Sequence, residues 1–130
     1  MKLEDIEKNP ILKHSFEFSL AIIDYCTLLE QQKEWVISRQ LLKSGTSIGA
    51  NAIEAQNSES KADFIHKFKI SAKEAGETQY WLLLCLKSPK FPNCPELLEK
   101  LENINRILNS IISSSKKKNP ISFFIAWLIP

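Results

Sequence analysis

All three glycines of this 130-residue chain fall between Gly45 and Gly76, and no Asn-Gly, Asp-Gly or Gly-Gly pair occurs anywhere in it. Tight hairpin turns need a backbone at positive φ, which such pairs supply without strain. The chain therefore lacks the usual means of reversing one β-strand onto the next, while strong helix formers dominate it. An all-α protein is predicted. The helix breakers, Pro10, the stretch Asn57-Ser58-Glu59-Ser60, and Pro89 with Pro92, divide the chain into helical lengths.

The first segment opens at Pro10, whose missing N–H costs nothing in a first turn, and runs to about Gln32. Leu12, Phe16, Ile23 and Cys26 are expected to share its buried face. The second runs from about Glu34 to Ala55. A third starts at about Lys61, behind Ser60 and Asp63 at capping-box spacing, and ends near Lys87 ahead of the prolines. The fourth opens near Asn93 and Pro95 and carries the most regular apolar repeat, Leu97, Leu101, Ile104, Leu108 and Ile111, in steps of four and three. Glu96 with Lys100, and Glu102 with Arg106, are spaced for outward ion pairs. Lys116 to Lys118 close this helix, where the dipole favours positive charge. Four amphipathic helices with short connections predict an antiparallel up-down-up-down four-helix bundle over residues 1–118. An apolar tail over 119–130 is expected to dock into a groove of its own or a neighbouring bundle rather than lie in a membrane interface.

Chemistry is sparse. The two histidines, His14 and His66, stand on different segments with no His-x-x-x-His or Glu-x-x-His pattern, so neither a metal nor a cofactor site is read. No serine or cysteine occupies a nucleophile elbow, and no catalytic residue is predicted. Gly45-Thr46-Ser47-Ile48-Gly49 lacks the Lys-Ser/Thr ending of a phosphate loop. With Ala52 it reads as a small-residue stripe that lets the second helix approach a neighbour closely. Cys26, Cys85 and Cys94 are an odd number without paired spacing, and no signal peptide is read, so a reduced, cytoplasmic chain is expected. The longest apolar run is far below the roughly 20 residues of a membrane span.

Two features point outward from the bundle. With Phe68 taken as the core direction of the third helix, Ile65, Ala72, Leu83 and Leu86 fall within about 60 degrees of it. Ile70, Trp81 and Leu84 lie roughly 140 to 160 degrees away, which predicts a subunit interface there. Seventeen Lys and Arg against fifteen Asp and Glu leave a net charge of only +2, so a nucleic-acid site must come from local clustering. Lys61, Lys67, Lys69 and Lys73 on the third helix are the candidates, with Asp63, Glu74 and Glu77 interleaved, and Lys116 to Lys118 at the close of the fourth could contact phosphates as well. Lys43, Asn51 and Glu54 on the second helix, with Lys73, Glu74 and Glu77 on the third, are spaced either for ion pairs between helices or subunits or as independent solvated charges.

The run Lys43-Ser-Gly-Thr-Ser-Ile-Gly-Ala-Asn51, followed by Glu54-Ala55, Glu59-Ser-Lys-Ala-Asp-Phe64, Lys73-Glu-Ala75, Glu77-Thr78 and Tyr80-Trp-Leu82, resembles the 23S rRNA intervening-sequence protein family. The resemblance spans the second and third helices most strongly. It implies an antiparallel four-helix bundle that assembles as a homopentamer, without known enzymatic activity, and associates with RNA, a nucleoprotein or a protein partner. Carried over by position, Lys43, Ser47, Asn51, Glu54, Glu74 and Glu77 are its signature polar residues. This chain departs from the family pattern in having Lys43 where Arg is usual, the order Ala52-Ile53, and Gly76 in place of a larger, often basic residue.

Overall fold

The computed structural model describes residues 1–115, so the Lys116–Lys118 closure and the apolar tail lie outside the described residues. Five helices follow in order: α1 (Leu3–Lys8), α2 (Pro10–Gln31), α3 (Trp35–Ala55), α4 (Lys61–Lys87) and α5 (Pro95–Ser115). The four segments expected from sequence are α2 to α5, within two or three residues at each described end. The addition is α1, a short helix that begins where the Lys2 backbone N–H donates to Asp5 Oδ2 at 2.9 Å. Asn9 ends α1 and accepts from the Leu12 N–H at 3.5 Å, so one residue stops the first helix and caps the second.

Each reversal has its own local chemistry. Between α2 and α3, Lys33 adopts φ 61°, Glu34 N–H donates to Leu29 O and Lys33 N–H to Glu30 O, both at 2.9 Å. These are the paired bonds of a Schellman ending, built here on lysine rather than glycine. Ser60 Oγ accepts from the Asp63 N–H at 3.0 Å and starts α4, as its spacing predicts. Ser88 and Pro89 end α4.

Contacts fix the directions. Ser15 faces Gly49 while Cys26 meets Ser38, so α2 and α3 run antiparallel. Ser44 meets Thr78 and Glu54 meets Lys67, so α3 and α4 do as well. Tyr25, in the C-terminal half of α2, donates its hydroxyl to Pro92 O at 2.6 Å, so α5 starts beside the far end of α2 and runs back along it. One apolar core results, with Phe18, Phe64, Phe68, Leu41, Ile48, Leu82 and Leu101 among its fully buried side chains.

The fourth-helix repeat is as expected: Leu97, Leu101, Ile104, Leu108 and Ile111 are all buried. Arg106 reaches Glu102 at 3.7 Å, whereas Glu96 and Lys100 line an open groove beside Tyr25 and Cys94. Gly45 and Gly49 do form a close-packing stripe. A Cβ on Gly45 would stand 3.0 Å from two carbons of Ile22, and one on Gly49 would stand 3.1 Å from Ser15 Oγ. Ser71 Oγ donates to Ile48 O at 2.8 Å, and the Thr78 and Ser44 hydroxyls meet at 2.9 Å.

Two expected faces need correction. On α2, Leu12 and Cys26 are buried but Phe16 and Ile23 are 36% and 46% exposed; Ser15, Phe18, Ile22 and Tyr25 take the core positions. On α4 the buried seam is Phe64, Phe68, Ser71, Ala75, Thr78, Leu82 and Cys85, in alternating steps of four and three. Leu83 and Leu86, expected in the core, are 44% and 38% exposed, and Ile65 and Ala72 only partly buried. The cause is the same on both helices. Small hydroxyl-bearing residues fill the seam where two backbones approach closely, so large apolar side chains no longer mark the inward direction.

Candidate nucleic-acid interface

The outward face of α4 opposes its buried seam. At about 100 degrees per residue, His66, Lys69, Lys73, Tyr80 and Lys87 all lie within about 40 degrees of the outward direction. All five are exposed, Tyr80 to 58%. Asp63 and Glu74 turn some 90 to 110 degrees aside, toward α3, and are partly buried. Glu77 stands at the rim, exposed. Asp63 and Glu74 are thus turned away from the lysines by the helix, while Glu77 stays one turn from Lys73. The result is a basic stripe with one aromatic ring and a shallow hollow lined by Ala62, Ile65, His66 and Lys69.

The four candidate lysines therefore separate. Lys69 and Lys73 sit one turn apart on the stripe. Lys67 faces α3 and pairs with Glu54, Nζ to Oε2 at 3.0 Å, and that carboxylate holds its ammonium above the ordinary lysine range. Lys61 occupies the first turn of α4, partly buried. Sequence reasoning missed His66, Tyr80 and Lys87, although their spacing from Lys69 and Lys73 by threes, fours and sevens was available.

The polar residues of α3 lie along the edge where α3 meets α4. Ser47 Oγ donates to Lys43 O at 2.6 Å, and Asn51 Nδ2 donates to Ser47 O at 2.9 Å, so both side chains bond back along their own helix. Glu54 provides the cross-helix tie, to Lys67 rather than to Lys73. Among the described residues, Lys67–Glu54 is the one ion pair across this edge, and Lys73, Glu74 and Glu77 form none with Lys43. Beside this edge Ile70 and Trp81 are partly buried, while Leu84, on the outward face with His66, is 40% exposed. Among the described residues, the Trp81 indole N–H is buried without an acceptor.

A second cluster lies where Tyr25 meets Cys85 and Cys94. Burial, and then the neighbouring Cys85, push the Tyr25 phenol far above its usual range, and burial pushes the Cys85 thiol up to about 11. Cys26 and Cys94 are raised in the same direction by burial. These groups are held neutral, the opposite of an activated nucleophile. In the unfolded chain they ionise near their ordinary values, so the stability they contribute is complete below about pH 9 and is lost as pH rises toward 11. The urea midpoint at pH 10.5 is expected to fall clearly below that at pH 8, and a flat midpoint would contradict this packing. Among the described residues no group of three His, Cys, Asp or Glu is placed to hold a metal ion, and no helix is long and apolar enough to cross a membrane.

Comparison with known proteins adds two findings. Residues 7–110 match the family model described as 23S rRNA-intervening sequence protein. The chain is also similar to the crystal structure of a protein of unknown function from the S23 ribosomal protein family of Bacteroides thetaiotaomicron. That likeness has 42% identity and a TM-score of 0.73, covering 78% of this chain and 97% of the other. No curated protein matches the chain significantly.

Proposed function

Because this chain belongs to the 23S rRNA-intervening sequence protein family, we propose that it is a non-catalytic, cytoplasmic, self-associating bundle that binds structured RNA or a ribonucleoprotein through pooled lysines. The observation that carries this reading is the sorting of charge on α4. Lys69, Lys73 and Lys87 share the outward face with His66 and Tyr80, while Asp63 and Glu74 turn toward α3. Ammonium groups spaced a helical turn apart suit successive phosphates, and an exposed tyrosine offers an unpaired base a stacking surface. One protomer brings few such contacts. A ring of copies, five by the family resemblance, would multiply them.

Self-association is supported by apolar residues on the outer half of α4 that the protomer leaves incompletely covered: Trp81 and Leu84 one turn apart, and Ile70 three turns earlier. A protein-scaffold reading draws on a different observation, the exposure of Leu83, Leu84 and Leu86 around the C-terminal end of α4.

Sedimentation of the chain with a structured 23S rRNA fragment, monitored at two wavelengths, tests assembly and cargo together. A multiple of the protomer mass carrying RNA is expected, with affinity falling steeply as salt is added. Lys69→Glu combined with Lys73→Glu should weaken binding by about ten-fold or more at low salt and flatten the salt dependence. RNA binding insensitive to salt and to both substitutions would refute the stripe. An assembly without RNA that retains a protein partner would favour the scaffold.

A further inference from the structure

The family match starts at residue 7 and ends at residue 110, and the Bacteroides structure covers 78% of this chain. Most of α1 therefore lies outside the matched region, as do the residues after 110. Within the described structure α1 packs against α2 alone, through the buried Ile6. Between them runs a groove whose apolar lining includes Leu3, Phe16 and Leu20, which remain 66%, 36% and 50% exposed. Glu7 and Glu17 stand on its rim, with Lys13 the single cation among its lining residues. An apolar floor with a mainly acidic rim suits an uncharged segment that has lysines beside it.

The chain supplies such a segment. Ile121-Ser-Phe-Phe-Ile-Ala-Trp-Leu-Ile129 carries no charge and follows Lys116 to Lys118 directly. The described chain ends at Ser115, which is fully buried. Because α5 starts beside the C-terminal half of α2 and runs antiparallel to it, Ser115 lies at the bundle end that carries α1. Residues 116–120 span at most about 17 Å, which sets how far from Ser115 the segment after them can begin. We propose that residues 121–129 dock in the groove between α1 and α2 of their own protomer, with Lys116 to Lys118 placed against Glu7 and Glu17. This proposal is independent of RNA binding and assigns α1 a purpose, that of one wall of a site for the chain's own tail.

The test uses the full chain. Leu20→Cys supplies an exposed thiol, since Cys26, Cys85 and Cys94 are buried. Its alkylation by N-ethylmaleimide is expected to run about ten-fold slower than in the same chain also carrying Phe124→Asp and Trp127→Asp, the ratio for a segment docked about nine-tenths of the time. Arg39→Cys, at the opposite end of the bundle, should react equally fast in both backgrounds. Lys13→Cys serves as a second reporter if Leu20→Cys loses helix content. Equal rates in the groove overturn the proposal. So does protection that disappears on dilution, because the occupant is then a neighbouring copy's segment.

Discussion

Phe68→Ala is expected to lower the stability of the bundle by about 3–5 kcal/mol, a large part of the roughly 5–15 kcal/mol that holds a domain of this size together. Phe68 is 1% exposed and meets Phe64 edge-on, with ring centroids 4.8 Å apart. Such an aromatic pair adds about 0.5–1.5 kcal/mol beyond the area it buries. Its surroundings have little capacity to collapse into the space left behind. One turn further along α4, Ser71 is tied to Ile48 O on α3, and further on Thr78 is tied to Ser44, so the two backbones are held in register. The cavity would persist and its cost would be near the upper end of the range. Urea unfolding at fixed protein concentration provides the measurement, with the midpoint falling and the slope unchanged. Phe16→Ala is the informative partner, because sequence periodicity places Phe16 in the core whereas the structure leaves it 36% exposed. Its loss should cost only about 1 kcal/mol. Equal costs at the two positions would mean that the face of α2 described above is wrong.

That comparison also marks how far the sequence could be read. On α5 the inward residues are all large and apolar, so period and burial coincide and Leu97 to Ile111 can be read directly. The helix boundaries are legible for a similar reason, since Pro10, Ser60 and Pro89 act locally through first-turn geometry, a cap and steric exclusion. On α2 and α4 the inward direction is set by what stands opposite. Ser15 is buried because Gly49 faces it, and Ser71 because it bonds a carbonyl of α3. Hydrophobicity cannot report such positions, and the predicted faces rotate toward the larger side chains. The site shows the same division. The lysines of α4 can be counted in the sequence, but the separation of Lys67 from Lys69 and Lys73 depends on Glu54, thirteen residues earlier and across a helix interface. The α1–α2 groove was the least legible feature, because six residues ahead of an Asn-Pro step give too short a pattern for periodicity to register.

Glycine provides the sharpest contrast in sign. Gly45→Val is expected to destabilise the protein by about 2–3 kcal/mol, while Gly76→Ala should stabilise it by about 1 kcal/mol. Both glycines sit inside helices, where propensity alone favours either replacement. At Gly45 the new Cβ would meet Cγ1 and Cγ2 of Ile22 at 3.0 Å, and Ile22 is fully buried, branched at its own Cβ and short of alternative rotamers. Valine brings two further methyl groups into that contact, so α2 and α3 must separate and Cys26 and Ser38 lose their register. At Gly76 nothing lies within 4 Å of the added atom, which would stand on the outer side of α4 between Lys73 and Tyr80. Only the unfolded-state entropy of glycine and its poor propensity are removed there. Thermal unfolding should therefore move in opposite directions, by several degrees upward for Gly76→Ala and by roughly twice that downward for Gly45→Val. A Gly45→Val protein that melts within about a degree of the parent would show that α2 and α3 have room to spare. The close approach that buries Ser15, Ser38 and Ile22 would then be wrong, and with it the packing that turns Phe16 and Leu20 outward to line the groove against α1.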